Sequence, residues 1–152
     1  MIIKNKLDKT FGPFGSSTGF FLMIGGIITT YFVIYGIIIV IVGAFAAFTT
    51  TSTFIDTDNK KIKFSDNLFG IISVGKWIQI KPEMKLGLSK SHRGYVGYIR
   101  GTQPLDIHHN DIRIILYDSS NKKIMPVKKF DSYEASKNDL KNLSSLLGLQ
   151  LV

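Results

Sequence analysis

Apolar and polar positions are distributed very unevenly along this chain. Between Lys9 and Asp56 lie 46 residues without a charged side chain, and most of them are apolar. Because a charge at the centre of a bilayer costs roughly 2.5–3.5 kcal/mol, such a stretch is typical of a segment in lipid. A helix rises about 1.5 Å per residue and needs roughly 20 residues to cross the hydrocarbon core. The pattern predicts a transmembrane hairpin over 16–53, with helices at about 16–33 and 36–53; one long tilted helix is the alternative.

Small residues recur on one face of each predicted helix. They are Gly19, Gly26 and Thr30 in the first helix and Gly36, Gly43 and Ala47 in the second. Small side chains let two helix backbones approach closely, which favours helix association in an apolar environment. We therefore expect the two helices to pack against each other along these faces.

The residues that flank the uncharged stretch are basic at both ends. A basic N-terminal arm, residues 1–15, contains Lys4, Lys6 and Lys9, and a second group of lysines follows soon after Asp56. Positive flanks stay on the cytoplasmic side of a membrane. With no charge between the helices, this predicts that both termini are cytoplasmic.

Residues 54–152 show mainly β patterning. Apolar or alternating runs at 71–80, 84–89, 95–99 and 112–117 are separated by turn signals such as Arg93-Gly94. Trp77, the only tryptophan, is predicted to be a core or sheet-packing anchor, with an interfacial position as the alternative. The chain has no cysteine, which excludes disulfides and thiolate metal sites.

The spacing of the apolar residues changes from a strand pattern to a helical pattern near the C-terminus. Asp131 precedes Glu134 at capping-box spacing, and Gly148 stands where a left-handed C-cap is expected. Between them a helical stripe is formed by Tyr133, Ser136, Leu140, Leu143 and Leu147. The sequence therefore predicts a helix over 132–147 that closes an antiparallel β barrel or sandwich. The predicted fold class is an α+β membrane protein, with the transmembrane hairpin first and a cytoplasmic domain over 54–152.

This order of parts resembles bacterial membrane proteins that carry a pleckstrin-homology-like (PH-like) domain. The resemblance rests on the hairpin, on Phe54-Ile55-Asp56, on Asn59-Lys60-Lys61, on the run from Phe69-Gly70 to Gly75-Lys76-Trp77, and on the C-terminal helix. It implies a PH-like fold for the β domain and a location in the bacterial inner membrane. It implies no catalytic or ligand-binding residues.

The formal net charge of +8 suggests a partner for the basic side chains. A basic domain gains roughly 1 kcal/mol per Lys or Arg near an anionic leaflet. The candidate lipid-facing residues are Lys4, Lys6, Lys9, Lys60, Lys61, Lys63, Lys122 and Lys123. The alternative is that they are ordinary solvated turn lysines. Nucleic acid is not expected as a partner, because the final helix balances its lysines with Glu134 and Asp139.

Candidate catalytic chemistry is sparse. The chain has neither a phosphate-binding Gly-Lys-Ser/Thr loop nor a Gly-x-Ser-x-Gly elbow. His92, His108 and His109 are the only histidines, and neighbours on a strand point to opposite faces. The sequence predicts no enzyme, no cofactor and no metal site. A loop site built from Asp106, His108, His109 and Asp111 is the alternative of another class, as a small membrane enzyme or regulator.

These features predict a non-catalytic inner-membrane interaction protein. The preferred role is an accessory or scaffold subunit of a larger membrane complex, acting through the PH-like domain and the hairpin. A tethered module that reads anionic lipid is the alternative. The expected partners are membrane lipid and either an integral-membrane protein or further copies of this chain.

Overall fold

The fold was analysed in a computed structural model. It describes the backbone of residues 1–97 and 105–152, and the side chains of residues 1–91 and 111–152. In chain order the elements are β1 (Ile2–Lys9), α1 (Gly12–Phe32), α2 (Gly36–Phe48), β2 (Thr50–Asp56), β3 (Lys61–Leu68), β4 (Ile72–Val74), β5 (Trp77–Gln79), β6 (Lys85–Gly97), β7 (Leu105–Tyr117), β8 (Lys123–Phe130), α3 (Tyr133–Leu147) and β9 (Gln150–Leu151).

The first sheet contains β1 to β5 and carries the helical hairpin. Strands β1, β2, β3 and β4 lie side by side in that order, and β5 also pairs with β3. Strand β1 is antiparallel to β2, with Ile2 opposite Asp56 at one end and Lys9 opposite Thr50 at the other. Helices α1 and α2 are therefore inserted between two adjacent strands, at the position that a turn occupies in a β-hairpin. Part of the predicted N-terminal arm is thus a strand of the sheet.

The second sheet has the order β8-β7-β6-β9. Strands β6 and β7 pair over 13 residues each, from Lys85 opposite Tyr117 to Gly97 opposite Leu105. The predicted turn at Arg93-Gly94 is wrong, because both residues lie within β6 and pair with His109 and His108. The short strand β9 runs parallel to β6 and returns the C-terminus to this sheet.

The core lies between the two sheets and under α3. Ile55 and Ile62 of the first sheet meet Leu86, Leu116 and Val127 of the second, and all five are fully buried. The buried residues of α3 are Ser136, Leu140, Leu143 and Leu147. Burying an apolar side chain of this size is worth about 1.5–3 kcal/mol, so these contacts are the main source of stability for this part of the chain.

Helix α3 begins one residue after the predicted start and ends at the predicted Leu147. Its N-cap is Ser132, which makes no side-chain capping bond, so the predicted capping by Asp131 is wrong. Gly148 follows with a φ of 68°, the left-handed conformation that glycine adopts at low cost.

The predicted transmembrane hairpin is wrong. No helix in the described parts of the chain combines the length and the apolar character needed to cross a membrane. Helix α2 has 13 residues and is about 20 Å long, since residues 50–53 of the predicted second span belong to β2. Helix α1 has 21 residues, but its first turns consist mostly of Gly, Ser and Thr. The chain is thus an α+β protein whose described residues form three helices and two sheets, and its assignment as a transmembrane protein is not supported.

Candidate interaction site

Helices α1 and α2 pack on each other through the small residues that the sequence singled out. Gly19, Gly26, Gly36, Gly43 and Ala47 are all buried. A Cβ atom added to Gly19 would lie 2.6 Å from the backbone nitrogen of Ala47, and one added to Gly26 would lie 2.7 Å from that of Val40. Glycine is therefore required for the two backbones to come this close. Thr30 joins the same contact and donates its Oγ1 hydrogen to the carbonyl of Gly26 at 2.7 Å.

The outer surface of this hairpin is almost entirely apolar. Its members are large hydrophobic side chains that are 40–88% exposed, and they occur on both helices and in the connection. We call this set the hairpin surface: Phe20, Phe21, Leu22, Ile24, Ile27, Ile28, Tyr31, Phe32, Val33, Ile34, Tyr35, Ile37, Ile38, Ile39, Ile41, Val42 and Phe48. Because small domains rarely expose a continuous apolar patch of this extent, the hairpin surface is a candidate site for interaction.

The root of the hairpin is fixed to the first sheet. The backbone nitrogen of Thr10 donates to the carbonyl of Thr49 at 3.1 Å, which closes the gap between β1 and α2. The Phe45 ring makes edge contacts with Phe11 and with Phe69, at centroid distances of 5.6 and 5.5 Å. The root of the hairpin is thus held by a backbone hydrogen bond at the sheet and by the contact of Phe45 with Phe69 in the loop after β3.

A basic cavity of about 650 Å³ lies where the hairpin meets the sheet. Lys4, Lys6 and Lys9 of β1 form its basic wall. The remaining lining residues come from both helices, from β2 and from the loop after β3: Ser16, Ser17, Phe20, Phe21, Ala47, Phe48, Thr50, Ser52, Phe69, Gly70 and Ile71. None of the described lining residues is acidic, so the potential inside the cavity is positive.

The eight candidate lysines do not form one surface. Lys4, Lys6 and Lys9 share the basic cavity, whereas Lys60 and Lys61 lie at or beside the β2–β3 turn, at the end of the sheet away from the hairpin. The other turn, between β7 and β8, contains Lys122 and leads into Lys123, whose Nζ donates to Ser89 Oγ at 3.0 Å. These outlying lysines are placed like solvated turn residues.

Lys63 belongs to a third environment, a row of cations and rings on the outer face of the first sheet. Its Nζ lies 5.0 Å from the Phe54 ring and 5.4 Å from the Trp77 ring, and Lys4 approaches Phe54 to 5.3 Å. Trp77 is 43% exposed on the short strand β5, so a core position is wrong, whereas the alternative of packing on the sheet is not contradicted. A core position could not be distinguished from this one by the local sequence, because both are strand positions.

A buried charge cluster lies where β1, β7 and β8 meet. Arg113 is 3% exposed; its Nη1 contacts Asp8 Oδ2 at 2.8 Å and its Nε contacts Asp111. Lys129 Nζ reaches the other oxygen of Asp8 at 3.3 Å. Burial alone lowers the pKa of Arg113, but hydrogen bonds to Asp111 and Asp8 and the charge of both carboxylates outweigh burial and raise it. Sequence reasoning missed this cluster, because its members are far apart in the chain.

The candidate His/Asp site falls largely outside the described side chains. The backbone of Asp106, His108 and His109 is part of strand β7 and does not form the loop that the sequence predicted. Asp111 is committed to the buried charge cluster. Among the side chains that the structure describes, no group of three potential ligands is placed to hold a metal ion.

Comparison of this chain with protein-family models, with curated proteins and with solved structures finds no match. The resemblance to proteins with a PH-like domain therefore stays a prediction.

Proposed function

We propose that this chain is a non-catalytic interaction protein that joins a larger complex as an accessory or scaffold subunit. The observation that carries the proposal is the hairpin surface, an apolar face that the rest of the described structure leaves exposed. Water-exposed apolar side chains of this number are unfavourable in an isolated protein, and they are the usual components of the centre of an interface.

The area of the hairpin surface determines how much free energy a partner gains by covering it. Fully burying one Ile or Phe side chain contributes about 1.5–3 kcal/mol. Covering six members of the hairpin surface would therefore contribute about 9–18 kcal/mol before the cost of association. That cost is estimated at 4–15 kcal/mol, which overlaps this gain, and the side chains are only 40–88% exposed at the start, so stable binding requires a partner that covers most of the hairpin surface.

The way the hairpin is attached also supports docking. A binding element that is already ordered loses less conformational entropy when it binds. The paired strands β1 and β2, the Thr10–Thr49 hydrogen bond and the rings around Phe45 hold the hairpin before any partner is present. The docking partner that we propose is a protein with a matching apolar surface.

The experiment that tests this proposal is purification of the tagged full chain from its native cells in a mild neutral detergent. We expect a companion protein at a fixed stoichiometry. The double variant I28Q/I38Q is expected to lose that companion, because both positions are more than half exposed on the hairpin surface. The identity of the companion also tests whether it is an integral-membrane protein, as the sequence predicts.

The matched control is Y133Q/L146Q, which alters two apolar side chains of similar exposure on α3. It is expected to keep the companion. A chain recovered only as copies of itself, or only with lipid, would overturn the subunit proposal. Equal loss in both double variants would show that the hairpin surface is not the docking element.

A further inference from the structure

We propose that the basic cavity at the root of the hairpin binds a single-chain anionic amphiphile, with a carboxylate or phosphate head group and an alkyl chain. Its volume of about 650 Å³ falls within the range of small-molecule sites, about 300–1,000 Å³. Phe20, Phe21 and Phe48 belong both to this cavity and to the hairpin surface, but ligand binding to the isolated chain needs no partner, so its test stands or falls separately from the proposed subunit role.

The charge on the basic wall identifies the head group. Lys4, Lys6 and Lys9 are exposed, and none of them takes part in an ion pair within the described structure. The nearest acidic residue in the chain, Asp8, is held by Arg113 and Lys129 instead. Three lysines without a carboxylate partner leave the cavity positive, which selects an oxyanion.

A buried hydroxyl group supports a ligand with polar oxygens. Ser16 lines the cavity and is only 2% exposed, and its Oγ has no hydrogen-bond partner in the described structure. A buried hydroxyl group without a hydrogen-bond partner is energetically unfavourable. A ligand oxygen that accepts this hydrogen would remove that cost, and Ser16 therefore provides an observation independent of the lysines.

The apolar lining residues, which form the apolar wall of the cavity, identify the alkyl chain of the ligand. Phe20, Phe21, Phe48 and Ile71 all line the cavity and are 46–84% exposed. An alkyl chain laid along these side chains would cover them while its head group stays at the lysines. A polar anion alone would leave this wall in water, and a neutral hydrocarbon would leave the lysines without a counterion.

The test is a calorimetric titration of the full chain, in a neutral maltoside detergent, with three probes and with decanoate as a second amphiphile. Decyl phosphate carries both the head and the chain, inorganic phosphate carries only the head, and decanol carries only the chain. We expect decyl phosphate to bind at least about tenfold more tightly than either fragment, because charge-assisted hydrogen bonds and apolar burial both contribute. Decanoate is expected to bind as decyl phosphate does. Decyl phosphate that binds no more tightly than decanol would overturn the site.

Two triple variants locate the binding. K4Q/K6Q/K9Q is expected to weaken decyl phosphate by about tenfold or more, since each lost charge removes a charge-assisted bond. K61Q/K122Q/K141Q removes the same net charge at exposed positions outside the cavity and is expected to change affinity less than about twofold. An equal loss of affinity in both variants would mean that net charge alone explains the binding, and would overturn the proposal.

A final experiment distinguishes the binding of a free amphiphile from binding to the surface of a bilayer. Neutral vesicles containing anionic lipid are offered to the wild-type chain with and without saturating decyl phosphate. If decyl phosphate displaces the vesicles, and if K4Q/K6Q/K9Q also weakens vesicle binding, then the head group of a bilayer lipid is a second source of the same ligand chemistry. Vesicle binding that decyl phosphate does not displace would assign the vesicle contact to another surface, and a cavity that still binds decyl phosphate would then take free amphiphiles only.

Discussion

The helical hairpin and the β part of this molecule place their large apolar side chains differently: mostly outside in the hairpin and inside in the β part. In the β part, large apolar residues such as Leu86 and Ile114 are fully buried and the charged residues lie mostly outside. In the hairpin, the buried positions are occupied by Gly, Ser and Ala, and the large apolar residues lie outside. A region that is stabilised by its own core needs no partner, whereas a region with an apolar exterior is incomplete until something covers it.

The buried charge cluster is the main exception to the apolar interior of the β part, and its loss should have the largest effect. Arg113→Met leaves the carboxylate of Asp111 buried without its cation, and we expect the free energy of unfolding to fall by about 3–5 kcal/mol. Arg113→Lys keeps the charge and is expected to lose less. Denaturant titration of both variants measures the difference. An Arg113→Met variant as stable as the wild type would show that the cluster carries no net stability.

Truncating one side chain in each region tests the contrast directly. Leu86→Ala removes a fully buried side chain from the core, and we expect a loss of about 2–5 kcal/mol. Ile38→Ala removes a side chain that is 57% exposed on the hairpin, and we expect a change within about 0.5 kcal/mol. Thermal or denaturant unfolding in neutral detergent measures both. Similar losses at the two positions would mean that the hairpin surface is already covered in the isolated chain.

Substitutions at two glycines of the hairpin distinguish the contribution of helix packing to stability from that of helix propensity. Gly43→Val places a side chain against the backbone of Met23, and we expect about 1–3 kcal/mol of destabilisation as α1 and α2 are forced apart. Gly25→Ala adds a methyl group where no atom lies within 4 Å, and we expect a gain of about 0.5–1 kcal/mol. Helix content at increasing temperature, measured by circular dichroism, compares them. Unfolding of Gly43→Val at the same temperature as the wild type would show that the close packing of α1 on α2 does not contribute to stability.

The smallest expected effect concerns pH, which acts mainly on the β part because the hairpin contains no acidic or basic side chain. A side-chain hydrogen bond from Asn59 is the main cause of the lowered pKa of Asp56. A lowered pKa in the folded state stabilises the fold above the ordinary value of 3.8, and that contribution is lost as pH falls through the lowered value. Asn59→Ala should therefore raise the pKa of Asp56 toward 3.8. Titration by NMR measures the pKa of Asp56, and a value that Asn59→Ala leaves unchanged would contradict this assignment of the cause.

Local periodicity was sufficient to predict α3 and the contact between α1 and α2. The stripe from Ser136 to Leu147 repeats at helical spacing, and Gly148 provides its own termination signal. Gly19 and Gly26 in α1, and Gly36 and Gly43 in α2, likewise recur at a spacing that a helix places on one face. In each case the information lies within a few turns of chain, where sequence patterns are most reliable.

Predictions failed where pairing with distant segments decided the outcome. Strand β1 has few apolar residues and is ordered because β2 lies beside it. Residues 50–53 read as the end of an apolar helix, but their pairing with β1 and β3 makes them a strand. Arg93-Gly94 has the local character of a turn, yet the long partner strand β7 keeps both residues extended.

The sequence by itself determined that one segment is uncharged and apolar, that this segment forms two helices with small residues facing each other, and that one amphipathic helix follows a set of strands. These features depend on composition and on spacing along a single element. The tertiary structure alone decided that neither helix combines the length and the apolar character needed to span a membrane, that the helices are inserted between β1 and β2, and that three lysines and a buried serine share one cavity. Such features depend on which segments pair across tens of residues, and a pattern within one element carries no information about that pairing.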